Sequence, residues 1–238
     1  MVWAKTGPSQ AMNRLIDTFF NTAIMWQYLP KILEGMVVTI WLALLVVASG
    51  ILLGFALALV RSLRWRAVNL LIVLYADVFR AVPALVILII IYFALPTIGV
   101  RLSGFVSAWL GLALVLSAFA EEIFWAGILS VPHGQWEAAR ATGLSVAQAL
   151  RHVVLPQALR ITIAPLTNRA IVITKNTALA SVVAVGEILY QAQAGYSFSY
   201  NPSPLTLGAI AYLILFIPLV WFGRWVESRF AGKLVGVK

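Results

Sequence analysis

Long apolar runs alternate with short polar segments along most of the chain. Five of these runs are long enough to cross a membrane, at residues 35–60, 67–95, 103–129, 161–190 and 204–225. A helix needs about 20 apolar residues to cross the hydrocarbon core. The pattern therefore predicts an all-α polytopic membrane protein with five transmembrane helices. Pro83, inside the second run, predicts a tilt or bend there, because proline removes a backbone donor and crowds the preceding turn.

The N-terminal region has a different pattern. Residues 14–34 mix charged and amide side chains with aromatic ones, which favours a helix lying in the membrane interface over one that crosses it. We therefore predict an extracytoplasmic or interfacial segment at 1–34, a transmembrane domain at 35–228 and a cytoplasmic tail at 229–238. The transmembrane domain includes a cytoplasmic loop at 130–160.

Composition and charge support a membrane protein and give it an orientation. Hydrophobic residues make up 62% of the chain, charged residues make up 11%, and no cysteine is present, which excludes a disulfide framework and a thiolate site. The net charge of +9 comes mainly from basic residues between the runs, so nucleic acid is not an expected partner. The positive-inside rule then predicts an extracytoplasmic N-terminus and a cytoplasmic C-terminus. The basic residues assigned to the cytoplasmic side are Arg61, Arg64, Arg66, Arg140, Arg151, Arg160, Arg224, Arg229, Lys233 and Lys238.

The loop at 130–160 is predicted to contain two short helices. Residues 135–142, QWEAARAT, are mostly good helix formers, and the spacing of Glu137 and Arg140 allows them to pair on one face. Gly143 then provides a left-handed stop, which side chains with a Cβ atom resist.

A second helix is predicted to follow at once. Ser145 and Gln148 have the spacing of a capping box, and we expect Pro156 to end the helix. Two interpretations remain open from this pattern. The loop is either an amphipathic connector on the lipid surface or a rigid docking element for a soluble partner.

The residues of this loop resemble a known family. Glu137, Ala138 and Ala139, then Gly143, Val153, Leu155 and Pro156, have the spacing of the EAA loop of ABC importer permeases. The segments SVPHGQWEAA, LPQALR, KNTALASV, VGEI, YADVFRAVP and GMVVTIWLALL are similar to the polar amino acid uptake subfamily. Together these segments cover roughly residues 33–225, which is most of the chain.

The resemblance implies a type I importer fold, a role and a set of partners. In that family the EAA loop forms coupling helices that seat in an ATPase subunit dimer, and substrate arrives on an extracytoplasmic binding protein. The chain contains no GxxxxGK[ST] phosphate-binding loop, so ATP and Mg are expected on a separate ATPase and no cofactor on this chain. The chain is therefore not expected to be an enzyme by itself. It would form half of a pathway in the bacterial cytoplasmic membrane, together with a second homologous permease or a copy of itself.

Several ionisable residues fall inside the predicted spans, where charge is costly. They are Arg80, Glu121, Glu122, Lys175 and Glu187. For Arg80 and Glu122, a buried ion pair that holds two spans in register is favoured over direct contact with substrate.

A polar interruption in the fourth span is a candidate for the substrate pathway. Lys175, Asn176 and Thr177 break an apolar helix, as expected where a helix lines a wet cavity. The resemblance supports Asn176 as the first substrate-facing residue, with Thr177 and Ser181 as weaker ones. A capped helix break that faces only protein would give the same pattern.

The chain also departs from the family pattern. Ala81 and Val82 stand in a usual RGTP motif, Ile87 replaces a frequent glutamine, and Trp125 replaces a usual arginine. These changes remove polar or permissive groups, which favours a heterodimer with a second permease or else a less polar ligand. The neutral Asn176, often acidic in relatives, weakens the case for a cationic amino acid.

Two other functional classes have less support from the sequence. An ion-driven secondary transporter predicts inverted repeats and paired broken helices, whereas one broken helix and an odd number of spans are expected here. An intramembrane enzyme lacks support because no HExxH, GxSxG or paired aspartates occur. His133 and His152 are predicted to be surface residues and not metal ligands.

Overall fold

A computed structural model describes residues 8–63 and 65–230, and this part of the chain is helical without strands. Its first two helices are α1 (Pro8–Phe19) and α2 (Thr22–Ser62). The helix of the first span thus begins at Thr22, thirteen residues before the predicted start of that span. Asn21 caps α2, because its side chain accepts a hydrogen bond from the Ile24 amide at 3.2 Å.

The remaining helices follow in chain order. They are α3 (Arg66–Ala81), α4 (Ala84–Ile89), α5 (Gly104–Ser130), α6 (His133–Ala141), α7 (Val146–Ala149), α8 (Leu155–Lys175), α9 (Ile188–Ser199) and α10 (Ser203–Phe230). Three helices, namely α2, α5 and α10, are each long and apolar enough to cross a membrane. Two further pairs bend sharply, and counting each pair as one span gives up to five crossings.

The first bend lies at Pro83, as predicted. The helical segments Arg66–Ala81 and Ala84–Ile98 meet at 103°. Val82 is extended, with a ψ of 131°, because a residue before proline is driven out of the helical region. The second half runs on from α4 through a π turn and a 3₁₀ turn to Gly99, which has a φ of +87°.

The second bend, of 44°, lies in the predicted fourth span between Val183 and Ile188. The polar residues predicted to break this span lie earlier, where the helix changes type. The regular helix α8 ends at Lys175 and continues as a 3₁₀ helix from Asn176 to Val183. Ala184 then takes a left-handed conformation, and Glu187 caps α9 through a hydrogen bond from the Tyr190 amide at 2.8 Å.

Helix α5 lies at the centre of the bundle and contacts α2, α3, α4 and α8. Small residues bring it close to α2. A Cβ atom on Gly54 would lie 2.6 Å from the Ala120 Cβ and 2.7 Å from the Ser117 carbonyl oxygen. Such close approach matters because lipid is as apolar as the helix surfaces, so packing rather than hydrophobicity drives association of spans.

Hydrogen bonds join the starts of α2 and α10. The Asn21 amide donates to Ser203 Oγ at 2.9 Å, and Asn201 Nδ2 donates to the Asp17 carbonyl at 3.0 Å. Both helices therefore run away from one joint, and their basic ends point toward the same side of the bundle. Arg64, Lys233 and Lys238, which were assigned to that side from the sequence, lie outside the described residues.

Candidate functional site

The loop at 130–160 forms the predicted helix, turn and helix. Helix α6 ends before Gly143, whose φ of +90° is the expected left-handed stop. Ser145 and Gln148 form the predicted capping box. The Gln148 side chain accepts from the Ser145 amide at 2.8 Å, and Ser145 Oγ accepts from the Gln148 amide at 3.3 Å.

Two details of this loop differ from the predictions. Glu137 pairs with His133 at 3.1 Å, one turn away, and not with Arg140. Pro156 does not end the second helix, which continues into α8. A π turn at Leu150–Val154 precedes the proline, and the Leu155 amide donates to the Leu150 carbonyl. The wider turn accommodates a residue that lacks an amide donor and crowds the carbonyl four positions earlier.

The loop has one packed face and one exposed face. Val154 and Ala158 pack against Ile128 and Val131 near the end of α5, and Ala139 is also buried. The exposed face carries Glu137, Ala138, Arg140 and Gly143, with Pro156 exposed and Val153 and Leu155 partly buried on the following turns. This arrangement holds the exposed surface on a base formed by two spanning helices.

A polar cluster lies between the spans. Glu121 is fully buried and both of its oxygens accept from Arg61 Nη1, at 2.9 and 3.2 Å. The Arg61 Cζ atom also lies 4.7 Å from the centroid of the Trp125 ring. Trp125 thus lies against an arginine supplied by α2.

The neighbouring glutamate pairs with another helix. Arg80 Nη1 lies 2.7 Å from Glu122 Oε2, so the two residues pair between the second and third spans as predicted, but the pair is partly exposed and not buried. Successive residues on a helix point about 100° apart, and Glu121 and Glu122 therefore meet different partners. Phe119, one turn before Glu122, faces Arg80 at 5.9 Å and Arg169 at 3.7 Å, measured from each Cζ atom to the ring centroid.

The predicted pathway residues of the fourth span have different surroundings. Asn176 is partly exposed at the start of the 3₁₀ helix. Lys175 is exposed and lines a cleft of about 370 Å³ together with Tyr212, Phe216 and Arg224 of α10. Thr177 is fully buried, and its hydroxyl donates to the Thr174 carbonyl at 2.7 Å.

Ser181 is partly buried and also uses its hydroxyl within the helix, where it donates to the Ala178 carbonyl at 2.8 Å. Ile87 is buried in the core beside Leu88. The Ile87 side chain therefore serves packing within this chain.

Besides the Arg61–Glu121 pair, two contacts at the site were not predicted from the sequence. Arg169 stacks on Phe119, and Tyr212 donates a hydrogen bond to the buried Glu187. Arg169 carried a usable signal, because it is a basic residue inside a predicted span. The partner of Glu187 carried none, since a tyrosine in an apolar helix is ordinary. Among residues 8–63 and 65–230, no group of three or more His, Asp or Glu side chains could hold a metal ion.

Comparisons with known proteins identify the family. Residues 50–232 match the model of the family described as binding-protein-dependent transport system inner membrane component. The probable glutamine ABC transporter permease protein GlnM of Bacillus subtilis is 34% identical over 210 residues, covering 88% of this chain and 97% of the relative. The L-cystine transport system permease protein TcyB of the same organism is 37% identical over 187 residues, with 76% and 80% covered. The glutamine transport system permease protein GlnP of Escherichia coli is 30% identical over 213 residues, with 88% and 97% covered.

Solved structures agree with the fold. A crystal structure of an amino acid ABC transporter with histidines is 32% identical, has a TM-score of 0.79 and covers 86% of this chain and 96% of that chain. An inward-facing structure of the MetNI methionine ABC transporter has a TM-score of 0.64 at 21% identity, covers 87% of this chain and 98% of that chain, and supports the fold alone.

The predicted all-α fold is confirmed, and the named relatives are permease subunits, not enzymes. Family membership also implies an ATPase and a substrate-binding protein as partners, and a multi-pass location in the inner membrane. The chain therefore belongs to the family of binding-protein-dependent transport system inner membrane components, the permease subunits of ABC importers.

Proposed function

We propose that this chain carries amino acids across the cytoplasmic membrane as one half of the pathway of an ATP-driven importer. The support for the substrate class is similarity along most of the chain. Relatives at 30 to 37% identity are named for glutamine and L-cystine, and a similar solved structure is that of an amino acid transporter.

In this proposal, ATP hydrolysis is coupled to transport through the loop at 130–160. The observation that carries it is the exposed face around Glu137, Ala138 and Gly143, which rests on a packed base at the ends of α5 and α8. An ATPase that displaced this face would also displace the two spanning helices packed beneath it, because close-packed elements shift together between discrete arrangements. Closure of the ATPase dimer on ATP would then favour one side of an alternating-access equilibrium.

The proposal places the nucleotide and Mg²⁺ on the partner ATPase and the N-terminus of this chain on the outside. A heterodimer with a second permease is favoured over a pair of identical chains, because Trp125 stands where the family resemblance leads us to expect an arginine. The extracytoplasmic binding protein would deliver substrate at the end where α2 and α10 begin, and membrane lipid would cover the outer helix faces.

Gly143 provides the test of coupling. Its φ of +90° is strained for a β-branched residue, although a Cβ atom at this position would have open space around it and would not clash. We expect Gly143→Val to lower uptake per ATP hydrolysed while the subunit still inserts and assembles. Gly99→Val is a matched control, because Gly99 has a φ of +87°, equally open surroundings and a place outside the loop.

The measurement compares substrate uptake and ATP hydrolysis in vesicles that contain equal amounts of assembled complex. Coupling through this loop predicts that only Gly143→Val changes the ratio of the two rates. An unchanged ratio, or an equal change in Gly99→Val, would reject the coupling role.

Asn176 provides a separate test of the pathway. Its partly exposed amide lies where α8 gives way to the 3₁₀ helix, so replacement by an apolar side chain should hinder passage of a polar substrate. We expect Asn176→Leu to reduce uptake without loss of assembly with the ATPase. Asn13→Leu, the same change at an exposed position of α1, should leave uptake unchanged. Wild-type uptake by Asn176→Leu would assign Asn176 a structural role.

A further inference from the structure

The polar cluster contains one cation that its carboxylates do not neutralise. Glu121 pairs with Arg61, and Glu122 pairs with Arg80. Arg169 is the third arginine of the cluster. Within the part of the chain that the structure describes, no carboxylate lies within 4.0 Å of it. The cluster therefore carries one net positive charge, on Arg169 of the predicted fourth span.

The position of this charge is determined by an aromatic ring. The Arg169 Cζ atom lies 3.7 Å from the centroid of Phe119, which is within the range of a cation–π contact. Stacking over a ring engages the face of the guanidinium group and leaves its in-plane N–H donors available. The ring thus orients the guanidinium group without neutralising its charge. The N–H donors of this group form a planar fork that matches the two oxygens of a carboxylate.

The surroundings of Arg169 are not a sealed core. The side chains of Arg80 and Glu122 next to the same ring are 33% and 47% exposed, and Arg169 itself is partly exposed. Ionisable groups inside spans almost always face a bundle interior or a water-filled cavity and mark transport pathways. Arg169 and Asn176 are also seven residues apart, so they share one face of the fourth span about 10 Å from each other.

We propose that Arg169, held against Phe119, is an anion subsite that receives the carboxylate of the substrate as it moves along the pathway from Asn176. This inference rests on the proposed function, because it takes the cargo to be an amino acid. Every amino acid carries a carboxylate, so the subsite would serve the common part of the substrate and not its side chain.

The first test measures the local potential without requiring transport. The chain contains no cysteine, so Val172→Cys, at an exposed position one turn from Arg169, is a unique reporter in this subunit. The assembled complex, with cysteine-free partner subunits, is treated with an anionic sulfonatoethyl or a cationic trimethylammonioethyl methanethiosulfonate. We expect Arg169→Gln to lower the anion-to-cation ratio of modification rates by about 10-fold, since the removed charge lies close to the reporter. Arg160→Gln, which removes an exposed charge from the same helix farther away, should leave the ratio nearly unchanged.

An equal ratio with and without Arg169 would overturn the proposal. A reporter that neither reagent modifies would also overturn it, because the subsite must be accessible to water.

The second test separates substrate contact from packing. Uptake of L-glutamine, L-cystine and L-arginine is measured with the complete complex, and rates are normalised to the amount assembled. We expect Arg169→Gln to reduce uptake by about 10-fold or more, the scale of one charge-assisted contact, and Arg169→Lys to retain more activity. Phe119→Leu should weaken uptake while keeping the charge. A role in packing alone predicts that Arg169→Gln lowers the amount of complex but not the uptake per complex, and this result would overturn the subsite.

The two proposals fail differently. If the wild-type complex hydrolyses ATP and transports none of the three amino acids, the proposed substrate class fails, while the reagent ratio still reports on the anion subsite. If the wild type transports one of them and Arg169→Gln transports it equally well per complex, only the subsite fails.

Discussion

Glu121 and Glu122 allow a direct measurement of how burial changes the value of an ion pair. The two residues are adjacent on α5, and each pairs with one arginine at 2.7 to 2.9 Å. Their surroundings differ, since the side chains of Glu121 and Arg61 are 0% and 16% exposed, whereas those of Glu122 and Arg80 are 47% and 33% exposed. The perturbation is the same in both cases, namely Glu121→Gln or Glu122→Gln, which removes a charge and nearly preserves the side-chain volume.

The expected magnitudes follow from this difference. Removing one partner of a buried pair costs about 3 to 5 kcal/mol, because the other charge is left uncompensated. The partial exposure of Arg61 places Glu121→Gln near the lower limit, at about 3 kcal/mol. The Arg80 pair reaches solvent, so Glu122→Gln should cost less than about 1 kcal/mol.

The assay is equilibrium unfolding of the purified subunit in mild detergent by increasing mole fractions of dodecyl sulfate, followed by far-ultraviolet circular dichroism. The free energies of unfolding of wild type, both single variants and Arg61→Gln/Glu121→Gln are compared at one reference mole fraction. The double variant should recover part of the loss, because it leaves no buried charge unpaired. Equal destabilisation by Glu121→Gln and Glu122→Gln, or a double variant no more stable than Glu121→Gln, would contradict these expected magnitudes.

Three further changes test packing, a buried hydrogen bond and orientation. Gly54→Ala should lower the free energy of unfolding by about 1 to 3 kcal/mol, because the new Cβ atom would overlap α5. Gly134→Ala should be nearly neutral in the same assay, because nothing lies within 4 Å of a Cβ atom at that position. Tyr212→Phe should lower the free energy of unfolding by about 1 to 3 kcal/mol, because the buried Glu187 carboxylate loses one of its donors. Tyr200→Phe, at a position 91% exposed, should change that free energy by less than about 0.5 kcal/mol. Ala147→Cys in this cysteine-free chain should react with a membrane-impermeant maleimide in inverted vesicles but not in intact cells, and labelling of intact cells would reverse the proposed orientation.

The pairings of the polar cluster bear on the departures from the family pattern. The resemblance led us to expect an arginine at position 125 of α5, and Arg61 of α2 contacts both Trp125 and Glu121. The buried glutamate is therefore compensated from another helix. Loss of a polar residue from a motif does not by itself show that the site around it has become apolar.

The sequence pattern alone predicted those structural features whose physical cause acts over a few neighbouring residues. The apolar runs predicted α5 and α10 to within a few residues, because hydrocarbon thickness sets the length of a spanning helix. Gly143, Pro83 and the polar residues at 175–177 marked the stop, the bend and the change from α-helix to 3₁₀ helix, since each acts on the backbone within one or two turns. The capping box of Ser145 is of the same kind.

Tertiary structure alone decided which elements continue and which charges meet. Helix α2 extends back to Thr22, where the joint with the start of α10 holds its first turn, and polar residues there had suggested a separate interfacial helix. The helix through Pro156 continues because a π turn absorbs the missing donor. The partner of Glu121 lies 60 residues away on α2. Helical periodicity relates residues three or four positions apart, so it contains no information on this pairing, which depends on how the spans pack in three dimensions.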